Sequence, residues 1–96
     1  MSPLQLARFY AKSPIDLKGD QVLETISKLG PGSPLVGEVV TTCHMSNISS
    51  PATTYKKLDE LETLGLIGSR TPNDARCRQV FITEQGRKRL QAWGKA

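Results

Sequence analysis

The sequence predicts an α+β domain, mostly α, in which a three-helix core carries a β-hairpin and a short helix flanks it at either end. Three observations predict it. Apolar residues recur at helical spacing in four successive stretches, each bounded by Ser, Asp, Pro or Gly. Two short apolar runs, Leu66-Ile67 and Gln79 to Thr83, bracket a polar loop rich in turn formers and arginine. The 96 residues suffice for one modest core but not for two, and no repeat, low-complexity tract or long linker divides them. A single domain over 1–96 is expected, with an N-terminal flanking helix inside 1–18 and a C-terminal one inside 84–96.

The first helix runs from Pro3 to Lys12, with Ser2 as N-cap, Pro3 in the first helical position and Leu4, Ala7, Tyr10 and Ala11 on one side; Pro14 closes it. The second spans about Asp20, as N-cap, to Leu29, with Val22, Leu23, Ile26 and Leu29 as its apolar stripe, and stops at Gly30-Pro31-Gly32. Ser33 caps a third, short helix with Pro34 in first position and Leu35, Val36, Val39, Val40 and Cys43 buried. Its β-branched run Val39-Val40-Thr41-Thr42 also suits a strand. The polar, turn-like segment His44 to Ser49 and the strong cap that follows favour the helix.

The fourth helix is the most legible. Ser50 caps it, Pro51 opens it, and it runs to about Leu64, stopped by Gly65. At 100° per residue, Thr54, Leu58 and Leu61 share the core face while Ala52, Thr53, Lys56, Glu60 and Thr63 point away. Tyr55 falls on the flank, where packing is the expected use. Asp59, Glu60 and Glu62 all lie in the second half, so an anion would approach the first half, the end that the helix dipole also favours. The hairpin follows, its loop Ser69 to Arg78 carrying Arg70, Arg76 and Arg78. Thr83 then caps a final helix, Glu84 to Trp93, whose large apolar contacts are Leu90 and Trp93.

Charge is unevenly spread. Residues 1–69 hold six basic and seven acidic side chains, and residues 70–96 hold seven basic and two acidic, so the net +4 arises in the last third. A localised basic patch is the footprint expected for a polyanion, with a solvated basic face as the alternative, above all for the run Arg87-Lys88-Arg89. Other chemistries have less to stand on. Cys43 and Cys77 are too few for a disulfide framework, and Cys43, His44 and Cys77 lack the paired spacing of structural zinc sites. There is no glycine-rich phosphate loop and no paired-carboxylate motif, so neither an enzyme nor a metal or other cofactor is expected. No apolar run approaches the roughly 20 residues of a membrane helix, and the N-terminus is not that of a secretory signal, so no membrane association and a cytoplasmic location are expected.

Two helices joined by a short turn, the second polar in its first half, form a helix-turn-helix. In that arrangement the N-terminal half of the second helix meets base edges in a major groove about 12 Å wide. The hairpin beside it, with Arg70, Arg76 and Arg78, would reach neighbouring phosphates or the minor groove. The predicted fold is therefore a winged helix-turn-helix.

From Asp20 to Arg89 the sequence resembles the MarR-type winged-helix family of transcription regulators, here as a short variant. The resemblance lies in the helix ending L-D-E-L-E-T-L-G-L-I and in Asp74-Ala75-Arg76 followed by Val80, Ile82-Thr83 and Gly86, matching a wing written as D-x-R, a hydrophobic strand and L-T-x-x-G. It implies sequence-specific binding of double-stranded DNA, and with it association with the nucleoid. Arg76 would be the wing-tip contact in the minor groove and Asp74 would hold the wing's shape, with Arg70, Asn73 and Arg78 as further wing contacts. Ser49, Ser50, Ala52, Thr53 and Lys56 would face the major groove, and Lys57 a phosphate; solvated surface charge is the alternative for the two lysines. A homodimer through the N- and C-terminal helices would suit palindromic half-sites. A winged helix used for protein–protein contact in a replication, recombination or transcription assembly is the alternative function.

Overall fold

The computed structural model describes residues 2–11, 13–30, 32–71 and 78–93. Five helices and one antiparallel hairpin follow in the order α1 (Pro3–Ala11), α2 (Leu17–Leu29), α3 (Val36–Met45), α4 (Pro51–Thr63), β1 (Ile67–Arg70), β2 (Gln79–Ile82) and α5 (Glu84–Trp93). The expected α+β class, three-helix core, hairpin and flanking helices are all present.

Local signals explain most of the boundaries. Ser2 and Gln5 cap α1 reciprocally: the Gln5 N–H donates to Ser2 Oγ at 3.2 Å and the Ser2 N–H to Gln5 Oε1 at 2.9 Å. The helix α2 is capped four residues ahead of the expected N-cap at Asp20. Asp16 is its N-cap, accepting the Gly19 N–H at 2.9 Å, whereas the Asp20 carboxylate turns inward to Arg89 and is unavailable for capping.

The expected start of α3 is also corrected. Instead of opening a helix, Pro34 and Leu35 run extended beside the hairpin. The Val80 N–H donates to the Pro34 carbonyl at 3.0 Å, the Val36 N–H to the Arg78 carbonyl at 2.9 Å, and Leu35 bridges Gln79. This short rung satisfies the Val80 N–H and the Arg78 carbonyl on the edge of the hairpin, which a helix beginning at Pro34 would leave unpaired, and it leaves Leu35 partly exposed rather than buried. At its other end α3 continues through His44 and Met45, two residues into the expected turn.

Two helices end in the same way. After α3, Asn47 takes the left-handed conformation (φ 56°), the Ile48 N–H bonds the Cys43 carbonyl at 2.9 Å and the Asn47 N–H bonds that of His44 at 3.1 Å. After α4, Gly65 (φ 77°) does likewise, with Leu66 N–H to the Leu61 carbonyl and Gly65 N–H to that of Glu62, both at 3.0 Å. Both are Schellman ends, and in each the next residue, Ile48 or Leu66, packs on the core. The turn between α3 and α4 thus has fixed geometry.

The core unites Val22, Leu23 and Ile26 of α2, Val36, Val39, Val40 and Cys43 of α3, Leu58 and Leu61 of α4, Ile67 and Val80 of the hairpin, and Leu90 of α5. Leu90 therefore serves core packing, with Trp93 half-buried against it. The start of α5 is backbone-tight. Thr83 Oγ1 donates to the Gly65 carbonyl at 2.6 Å and accepts the Gly86 N–H at 3.1 Å. A Cβ on Gly86 would lie 2.1 Å from the Leu66 carbonyl oxygen. The T-x-x-G spacing thus has a physical basis: the threonine caps α5 and the glycine lets α5 approach the connection between α4 and β1.

Beneath α1 lies a buried charge. Asp20, fully buried, receives Arg89 Nε at 2.9 Å and Nη2 at 2.8 Å, together with the Tyr10 hydroxyl. Arg89 also donates to Ser13 Oγ at 2.7 Å and lies over the Phe9 ring, 4.3 Å from its centroid. Burial, then the hydrogen bond and charge of Asp20, hold the Tyr10 hydroxyl well above its ordinary ionisation range.

Candidate nucleic-acid interface

Helix α4 presents a continuous outer face made of Pro51, Ala52, Tyr55, Lys56, Asp59 and Thr63, with Thr54, Leu58 and Leu61 buried beneath it as the projection requires. Its N-terminal end is ordered by its own side chains. Ser50 Oγ accepts the Thr53 N–H at 3.3 Å and donates to Thr53 Oγ1 at 3.0 Å, while the Thr54 N–H bonds the Ser50 carbonyl at 2.9 Å. Pro51 has no N–H, so Ala52 supplies the remaining donor of the first turn. Ser50, Ala52 and Lys56 are exposed and Thr53 half-exposed, so these four share one surface.

Ser49 and Lys57 do not join it. Ser49 is buried, its hydroxyl hydrogen-bonded to Thr54 Oγ1 under the turn. It fixes the entry to α4 and cannot face a groove. Lys57 Nζ lies 3.0 Å from Asp16 Oδ2 and 3.3 Å from Glu60 Oε2, its side chain largely covered. The Asp16 bond, outweighing burial, raises the Lys57 ammonium above its usual range. Burial alone would raise Asp16, but bonds from the Gly19 N–H and Lys57 prevail and hold its carboxyl below the usual range. Lys57 is a tie between α4 and the cap of α2, not a surface cation.

Tyr55, expected from its flank position to pack, is 51% exposed beside Lys56. Its exposure depends on where α2 and α3 cross α4, which no single-helix projection contains. The signal that could have found it is its i+3 relation to Ala52, which puts both on one strip.

In the hairpin, Arg70 and Arg78 are held by the protein itself. Arg70 Nη2 donates to Ser33 Oγ at 2.8 Å and its guanidinium lies over Phe81, 5.7 Å from the ring centroid. Arg78 pairs with Glu62 at 2.6 Å. Asn73, Asp74 and Arg76 lie outside the described residues, as does Cys77. Of the last-third basic residues, Arg87 and Lys88 are exposed, and Arg89 is the internal partner of Asp20. Among the described residues no group of three His, Cys, Asp or Glu could hold a metal, and no helix is long and apolar enough to cross a membrane. Cys43 is buried, and that burial raises its thiol above the ordinary range, so it behaves as a small core residue.

The architecture defines a class: a helix-turn-helix followed by a hairpin wing. Neither a family model nor a curated protein matches the chain, but solved structures do. A point mutant of MepR from a multidrug-resistant S. aureus clinical isolate superposes with a TM-score of 0.76 at 16% identity, over 95% of this chain and 60% of that one. A second S. aureus MepR mutant, bound to an oligodeoxyribonucleotide, gives 0.76 at 16% identity over 94% and 61%. The zinc-responsive MarR family member ZitR of Lactococcus lactis gives 0.64 at 20% identity over 88% and 55%. The fold is the MarR-type winged helix. This chain spans about three-fifths of the length of the first structures it matches.

Proposed function

We propose that the chain is a sequence-specific double-stranded-DNA-binding transcription regulator whose helix α4 enters the major groove and whose wing lies on the backbone or in the minor groove. It acts as one winged-helix domain and not as an enzyme. The observation that carries this is the outer face of α4. Its first half offers Ser50, Ala52, Thr53, Tyr55 and Lys56 with no acidic side chain, while Thr54, Leu58 and Leu61 supply its core face. The same fold bound to an oligodeoxyribonucleotide in a MepR mutant supports the reading.

Base reading falls to Ala52, Thr53, Tyr55 and Lys56, and Tyr55 brings a large amphipathic side chain to an otherwise small-residue surface. In the wing, Asn73 and Arg76 sit by sequence between Arg70 and Arg78, and Arg76 is assigned to the minor groove, with Asp74 shaping the loop. A dimer through α1 and α5 is part of the reading, consistent with the exposure of Leu4 on α1. Location with the nucleoid follows from the function.

Duplex affinity measured across a salt series tests it. The logarithm of affinity should fall linearly with that of salt, by about 0.9 per phosphate neutralised. Arg76→Ala and Lys56→Ala should both weaken binding. Against duplexes selected from a random pool, Thr53→Ala or Tyr55→Ala should relax preference at single positions by roughly 1–3 kcal/mol, whereas Arg76→Ala weakens all sequences about alike if Arg76 contacts only the backbone. Salt-insensitive binding, or none, would overturn the proposal in favour of a protein-contact module.

A further inference from the structure

We propose that Glu62 is a positioning residue that sets the angle between the wing and α4, with Arg78 as its partner rather than as a DNA ligand; this rests on the reading above, in which both elements meet one duplex.

Glu62 lies in the last turn of α4 and engages both strands of the hairpin with one carboxylate. Oε1 accepts from Ser69 Oγ of β1 at 3.1 Å, and Oε2 accepts from Nη2 of Arg78, the residue entering β2, at 2.6 Å. The same Nη2 lies 3.4 Å from Ser69 Oγ, closing a triangle. An acidic side chain in the last turn is opposed by the helix dipole, so helix stability does not account for Glu62. The Glu62 and Arg78 side chains are 39% and 42% exposed, and solvated pairs of this kind contribute little to global stability. What the pair does supply is direction, because a guanidinium bonds only in its own plane.

Position along the hairpin makes that direction matter. The buried anchors of the hairpin are Ile67 at its base and Val80 opposite Ser69, while Arg70 and Arg78 lie beyond them at the end leading to the wing loop. On one side of that end Arg70 bonds Ser33 in the α2–α3 connection, and on the other Arg78 bonds Glu62. The hairpin is bracketed, and Glu62 is the bracket on the recognition helix.

The test uses Glu62→Gln, Arg78→Gln and the swap Glu62→Arg/Arg78→Glu. The probes are a duplex selected from a random pool by the wild-type protein and an unrelated duplex of equal length. Each single variant should weaken the selected duplex by up to roughly fivefold, the equivalent of the upper range for an exposed pair, with an unchanged salt slope. The swap should restore affinity. Residual dipolar couplings in the free protein should show the hairpin turned relative to α4 in both single variants and returned in the swap. The proposal is overturned if Arg78→Gln makes the salt slope shallower by about 0.9 while Glu62→Gln binds as well as wild type or better, since Arg78 would then be a phosphate ligand. If the wild-type protein shows no salt-dependent duplex affinity, the DNA reading alone falls. The couplings still decide the role of Glu62, unaltered values in both single variants overturning it.

Discussion

Asp16 uses its two carboxylate oxygens for different elements: Oδ1 caps α2 through the Gly19 N–H, and Oδ2 holds Lys57 of α4. Its folded-state pKa is depressed, so the stabilisation it brings is present above the ordinary carboxylate range and is lost as pH falls through the lower folded value. Asp16→Asn keeps an N-cap-competent side chain but loses the charge facing Lys57. Thermal unfolding followed against pH should show a small loss of Tm at neutral pH and a flatter acid limb below about pH 4. An acid limb unchanged from wild type would sink the assignment. The same residues show what was illegible at this scale. Lys57 and Lys56 are adjacent and chemically alike, but only Lys57 has a carboxylate 41 positions away within reach. Ser49 and Ser50 divide in the same way, one turned inward to Thr54 and the other out as a cap.

Element boundaries were legible wherever the signal was local. Ser2, Ser50-Pro51, Gly65 and Thr83 all act as their residue types suggest, because caps and left-handed ends involve only neighbours within a few positions. Boundaries failed where a distant partner decided them. Asp16 and Asp20 are both good caps, and Arg89 settles which one caps by drawing Asp20 inward. Ser33-Pro34 suits a helix start, but β2 recruits Pro34 as an acceptor. The contact between α5 and the α4–β1 connection gives a sharp test at this scale. Gly86→Ala forces a methyl group toward a backbone oxygen that cannot rotate away, and overpacking of this kind costs about 1–3 kcal/mol or more. Ser50→Ala removes only a cap, about 1 kcal/mol. Chemical denaturation should rank Gly86→Ala as the more damaging, and the reverse order would contradict the close approach.

At the scale of the molecule, summed charge located a basic last third but could not tell which cations face water. Arg89 stood within a run that reads as a solvated or phosphate-contacting face, yet it is spent on a buried aspartate 69 positions earlier and joins α1, α2 and α5. Removing one partner of such a pair leaves an uncompensated buried charge, at a cost of about 3–5 kcal/mol. Arg89→Leu should therefore lower Tm by roughly 12 °C or more, at about 4–8 °C per kcal/mol for a chain of this size. Asp20→Asn combined with Arg89→Leu removes both charges, so it should recover a large part of the loss even though the Phe9 stacking is gone. Tyr10 gives an independent optical readout. Its hydroxyl bonds Asp20, so alkaline titration of wild type should show the Tyr10 hydroxyl resisting ionisation until well above the ordinary tyrosine range. In the double variant the Tyr10 transition should move down toward the ordinary tyrosine range, because the charge that opposes tyrosinate is gone. If Arg89→Leu unfolds with wild-type Tm, the pair does not join the helices, and α1 must be held by the Tyr10–Asp20 bond and apolar contact.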